Sequence, residues 1–153
     1  MKRPTRELAL FVALSALLLH SAAAKDVPLD NSDRDKRALR ALSIEEYETI
    51  KGRWENIGDL IVDDSETISS LEAVGVRLGL GRIRKDLANV DSAARLTTLQ
   101  FYLAHEAWHQ RQYKIYAGYD ILGDSEQSRL MECQADVMAA EMIGEAVGYQ
   151  TLC

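Results

Sequence analysis

The chain is short of histidine, cysteine and proline, with three, two and two of them in 153 residues. It also lacks a basic excess, its formal net charge being -6. That balance leaves no footprint for nucleic acid, which favours a clustered basic face. Acidity of this kind promotes solubility and says little about a substrate. Long apolar runs are missing beyond the N-terminal stretch, so no later segment is expected to cross a membrane. No repeat or low-complexity block interrupts the chain.

The N-terminal stretch has the order expected of a secretory signal peptide. Lys2, Arg3 and Arg6 precede an apolar run from Leu8 to Leu19, and Ser21-Ala22-Ala23-Ala24 offers small residues for cleavage after Ala24. The run is short for a bilayer span, and no cysteine follows it to carry a lipid. The expected product is exported, to a periplasm or the medium, with no integral membrane association. Removing residues 1–24 leaves enough chain for one domain with a core. Residues 25–42 are charged and poor in large apolar groups, and read as a flexible lead-in turning helical near Lys36. The domain proper is expected over 43–153.

Cleavage after Ala24 also removes His20. Only His105 and His109 then remain, so a site needing three histidines is excluded. Those two belong to His105-Glu106-Ala107-Trp108-His109, an HExxH pattern. On a helix, residues four apart share a face, so both imidazoles can reach one ion. Glu106, about 100° further round, can sit beside that ion and take a proton from a water on it. The third ligand to Zn2+ must be a carboxylate or a cysteine.

Coarse patterning places these residues on an α+β, mostly helical domain. Ser43 and Glu46 form a capping-box pair opening a helix whose stripe runs through Ile44, Tyr47, Ile50, Trp54, Ile57 and Ile61. Val74 to Leu80 alternates with period two and predicts a strand, with Gly75 and Gly79 leaving one face bare for another backbone. Gly81 is expected to turn the chain into a second short strand around Arg82-Ile83-Arg84, and Ile68–Leu71 reads either as a third strand or as helix. Asp91 can cap a helix from Ser92 to about Tyr116, with Leu96, Leu99, Leu103, Trp108 and Tyr113 supplying its buried surface. A loop through Asp120 and Asp124 leads to a last helix from about Ser125 to Gly144.

That last helix carries Glu132-Cys133-Gln134-Ala135-Asp136. Glu132 and Asp136 share a face as the two histidines do, and antiparallel packing of the two helices would bring the faces together. Glu132 would complete a His-His-Glu zinc site with a fourth position for water. Asp136 would accept a hydrogen bond from the outer nitrogen of a ligand imidazole, His105 being the natural partner. The pair HExxH and Glu132-x-x-Ala135-Asp136 resembles the gluzincin metallopeptidases, and in particular their small members, the minigluzincins. The likeness covers residues 67 to 145 and is concentrated in the two motifs.

The resemblance implies a small zincin-like fold, with a short sheet packed on the HExxH helix and on the glutamate-bearing helix. It implies hydrolysis of peptide bonds in a peptide or protein substrate, with Glu106 as general base, His105, His109 and Glu132 as zinc ligands, and Asp136 orienting. The strand with Val74, Val76, Leu78 and Leu80 would be the edge on which an extended peptide adds. With no third histidine, the oxyanion donor must be Tyr102, Tyr113, Tyr116, Tyr119, Tyr149 or an arginine.

Other schemes compete with this one. Asp120 is the third ligand in an arrangement resembling the aspzincins, although their fuller glycine-threonine-aspartate pattern is missing. Glu106-x-x-His109 is also the unit of di-iron bundles, which need two such units. A latent module with a structural zinc closes all four positions and has no use for Glu106. Cys153 as a thiolate reaching the metal would block it. Export permits a disulfide, and Cys133 and Cys153 can pair only with each other or with another chain.

Overall fold

The computed structural model describes residues 25–71, 75–116 and 125–144. Its element order is α1 (Asp33–Lys51), β1 (Asp59–Asp63), β2 (Ile68–Leu71), β3 (Gly75–Gly79), α2 (Leu80–Ala88), α3 (Arg95–Ile115) and α4 (Ser125–Ile143), with a 3-10 turn at Ser92–Ala94 before α3. The domain is α+β and mostly helical, with a three-stranded mixed sheet packed on the helix that carries HExxH. The stretch read as a signal peptide, Val74, Asp120 and Cys153 lie outside the described residues.

Helix α1 starts ten residues before Ser43. Ser32 caps it, its hydroxyl accepting from the Asp35 N–H at 3.2 Å, and Asp33 and Asp35 lie in the positive first turn. Extending the helix upstream buries Leu39 and Leu42, worth about 1.5–3 kcal/mol each. A cap at Ser43 is worth about 1 kcal/mol, so the longer helix wins. Ser43 is then interior, its hydroxyl donating to the Leu39 carbonyl at 2.8 Å. Glu46 is buried rather than capping, and accepts from Lys25 Nζ at 2.9 Å and Gln100 Nε2 at 2.8 Å. The segment before α1 is packed rather than a flexible lead-in. Val27 is buried, and Arg84 holds the Leu29 carbonyl and the Asn31 side chain.

The helix ends at Lys51, short of the stripe expected to run on to Ile61. Asn56 takes a positive φ of 66°, and the chain re-emerges as β1, which the short apolar run Leu60-Ile61-Val62 between Asp59 and Asp63 could have signalled. Trp54 and Ile57 keep apolar roles in the connection. Trp54 meets the Trp108 ring edge-on with centroids 5.3 Å apart, Arg111 covers Trp108, and Lys114 Nζ donates to the Asn56 carbonyl.

Strand β3 is the middle strand, parallel to β1 and antiparallel to β2. Its two glycines admit the neighbouring backbones. Gly75 has φ +144°, and a β-carbon there would run into the Asp59 carbonyl. One on Gly79 would meet the Ser65 and Thr67 carbonyls. Because both sides of β3 are hydrogen-bonded, it is no edge for an added peptide, and that expectation is corrected. Leu80 likewise leaves the strand and opens α2. The run Gly81 to Arg84 is helical, because Leu80, Ile83 and Leu87 recur at helical steps and are fully buried.

Helix α3 crosses beneath the sheet. Leu99, Leu103, Ala104 and Ala107 face the core, and the Asp91 carboxylate accepts from the Ala93 N–H at 3.2 Å in the preceding turn. Helix α4 makes the most extensive contact that α3 has with any described element. On α4, Ala135 and Ala139 lie at helical spacing from Glu132 and Asp136 and are completely buried. Side chains this small let the two backbones approach closely.

Gly75→Ala is expected to cost at least about 2 kcal/mol, combining the positive φ with the collision on Asp59. Gly52→Ala, where φ is -67° and the nearest atoms are 3.5 Å away, is expected to change stability by less than about 1 kcal/mol. Urea unfolding of the two variants checks the contrast. Equal losses would remove the argument for the β1–β3 approach.

Candidate metal centre

The site is assembled from α3 and α4. The four-residue step puts the His105 and His109 imidazoles on one face of α3, with their Nε2 atoms 3.0 Å apart. Across the helix pair, Glu132 turns one carboxylate oxygen to each ring, at 3.3 Å from His105 Nε2 and 3.5 Å from His109 Nε2. These three residues can hold a metal ion.

The spacing allows a test of fit. Around an ion with bonds of about 2.0–2.1 Å, tetrahedral ligands lie about 3.3 Å from one another. The Nε2–Nε2 separation of 3.0 Å lies near that edge length, and the two Glu132 oxygens stand at comparable distances, 3.3 and 3.5 Å, each from a different ring. Protonation states point the same way. His105 Nδ1 lies 2.9 Å from Asp136 Oδ1. An ionised carboxylate only accepts, so a neutral imidazole here carries its N–H on Nδ1 and turns the Nε2 lone pair to the centre. His109 Nδ1 is engaged in turn by Gln112 Oε1 at 2.6 Å. With both rings neutral, two lone pairs and a carboxylate converge on one point, an arrangement that a cation would stabilise.

Access to the centre is one-sided. The histidine side chains are 15% and 10% exposed, whereas the Glu132 side chain is 60% exposed. The centre is thus walled on the α3 side and open beyond Glu132. Phe101 flanks His105, with ring centroids 6.2 Å apart.

Glu106 stands outside the ligand trio and beside it. Burial pushes its carboxyl above the usual carboxylate range. The charges of His105 and His109 oppose that push, Glu132 adds to it, and a backbone hydrogen bond from Ser70 opposes it. Ser70 lies on β2, so an edge strand of the sheet reaches the carboxylate. The neighbouring Gln110 ties the same strand down, its Nε2 donating to Ser70 Oγ at 2.5 Å and to the Gly75 carbonyl at 3.0 Å.

All five residues expected at the centre are therefore brought together: His105, Glu106, His109, Glu132 and Asp136. Val76 and Leu78 are not at an open edge, being core residues of the middle strand, and Leu80 is the first residue of α2. Tyr102 is turned to α2, where its hydroxyl lies 3.2 Å from Asp86 Oδ2, so its proton is committed there. Tyr119 and Tyr149 lie outside the described residues. Cys133 is disulfide-bonded, so it offers no thiolate to an ion; Cys153, the other cysteine of the sequence, is outside the described residues.

Sequence reading missed Ser70 and Gln112. Gln112 had a signal, lying three residues beyond His109 on the same helical face. Ser70 had none, because its contribution comes from its backbone. No family model matches the chain, and no curated protein or solved structure matches it either.

Asp136→Ala is expected to weaken divalent-metal binding about 10–100-fold. In unfolding experiments with metal in excess, that loss equals about 1.4–2.8 kcal/mol of metal-dependent stabilisation. An unchanged metal-dependent increment in the variant would show that the His105–Asp136 hydrogen bond does not serve the centre.

Proposed function

We propose that the chain is an exported zinc-dependent peptidase, with His105, His109 and Glu132 as ligands and Glu106 as general base. The observation that carries this reading is the convergence of two imidazole Nε2 atoms and the Glu132 carboxylate, with the half-buried Glu106 carboxylate beside them. Two imidazoles and one carboxylate suit zinc and leave a fourth position open. A metal that merely fastened α3 to α4 would be enclosed, whereas Glu132 is well exposed. The order of charge, apolar run and small residues over 1–24 supports export.

Zinc held here supplies polarisation of the scissile carbonyl and acidification of the attacking water. Glu106 accepts the water proton as the water oxygen bonds to the carbonyl carbon, and delivers it to the amine nitrogen as the C–N bond breaks. Asp136 keeps the His105 Nε2 lone pair on the metal throughout. An extended peptide is received at β2 instead of β3, since β2 is an edge strand and its Ser70 already touches the base.

Glu106→Gln is expected to retain stoichiometric zinc and lose at least about 100-fold in cleavage of a peptide library followed by mass spectrometry. Wild-type turnover by that variant would refute the proposed mechanism. Glu132→Ala should lose zinc on metal analysis while Asp120→Ala retains it, and the reverse pattern would transfer the third ligand to Asp120.

A further inference from the structure

The outer nitrogen of His109 has a partner that the zinc reading does not require. Gln112 is completely buried one turn beyond His109, and its Oε1 lies 2.6 Å from His109 Nδ1. The amide has a single chemically sensible orientation. Its Nε2 donates twice across the helix interface, to the Met131 carbonyl at 2.9 Å and to Gln134 Oε1 at 2.9 Å. The Met131 carbonyl can only accept, which holds the NH2 group on the α4 side and the oxygen toward the imidazole. An amide oxygen facing Nδ1 requires that nitrogen to carry the ring proton. The Nε2 lone pair of His109 is thereby released toward Glu132.

We infer that Gln112 is a positioning residue for the metal, setting the His109 tautomer and fixing that ring relative to the glutamate-bearing helix. The inference rests on the zinc reading and adds to it a second link between ligand and scaffold. His105 is coupled to α4 through Asp136, and His109 through Gln112 to the peptide group of Met131, the residue next to Glu132. Both imidazoles are thus referred to the helix that supplies the third ligand. A carboxylate at position 112 could accept from His109 but could not donate to Met131. An apolar side chain of equal length could do neither.

The test is zinc competition against a chromophoric chelator on the full mature chain, with Gln112→Met and Gln112→Glu beside wild type. Gln112→Met is expected to bind zinc about 10–100-fold more weakly, and Gln112→Glu to recover at least part of that loss through its acceptor oxygen. Apo-protein melting separates this from a packing role, because a residue that only packs would shift melting without ranking zinc affinity by acceptor. Zinc affinity of Gln112→Met within about twofold of wild type would overturn the inference, as would equal losses in both variants. Long-range proton–nitrogen NMR of zinc-loaded wild type needs no variant to fold. It should show His109 protonated at Nδ1 with Nε2 on the metal, and the opposite tautomer overturns the inference while leaving the zinc reading intact. Wild-type chain that takes up no zinc overturns both.

Discussion

Close approach of α3 and α4 is the condition on which the centre depends. Glu132 and Asp136 have short reaches, and the imidazoles they meet are fixed to another helix. A bulky seam would set the backbones apart and leave the carboxylates in solvent. Ala135 and Ala139 remove that obstacle on the α4 side, both being fully buried. Such residues gain little from burial, so the seam is built for proximity more than for stability. The apolar mass lies on the other side of α3, where Leu99 and Leu103 join Leu39, Leu78, Leu80, Ile83 and Leu87 in one cluster.

Proximity creates an electrostatic demand that the scaffold meets only in part. Three carboxylates, Glu106, Glu132 and Asp136, surround two imidazoles. Asp136 and Gln112 occupy both Nδ1 atoms, which sends both Nε2 lone pairs inward against Glu132. With both rings neutral, that inner face presents two lone pairs and a carboxylate. A divalent cation would satisfy it directly, and its binding would add to the stability of the α3–α4 pair.

Much of this was legible in the sequence, and the misses have physical reasons. The two motifs located the ligand helices because helical spacing alone fixes which residues share a face. Helix α4 spans Ser125–Ile143, close to the expected run from about Ser125 to Gly144. The start of α1 was misread because Ser32-x-x-Asp35 and Ser43-x-x-Glu46 are similar cap signals, and the choice between them lay in burial of Leu39 and Leu42. The strand at 75–79 was found from its alternation, and its glycines do admit neighbouring backbones. Its position in the sheet was not readable, since strand order is a tertiary property. Ser70 was invisible because any residue could supply its N–H.

The two halves of the chemistry are positioned from opposite sides of one helix. The ligand rings answer to α4, through Asp136 and Gln112. The base answers to the sheet, through the Ser70 backbone, and β2 is in turn held to α3 by Gln110. Helix α3 is the shared reference, and consecutive residues on it divide between the two sides: His105 to α4, Glu106 to β2, His109 to α4, Gln110 to β2. The 100° step between neighbours on a helix makes that division unavoidable. It also explains why a domain this small can build such a site. One well-anchored helix positions the candidate metal ligands and the proposed base together, and each flanking layer has only one of them to adjust.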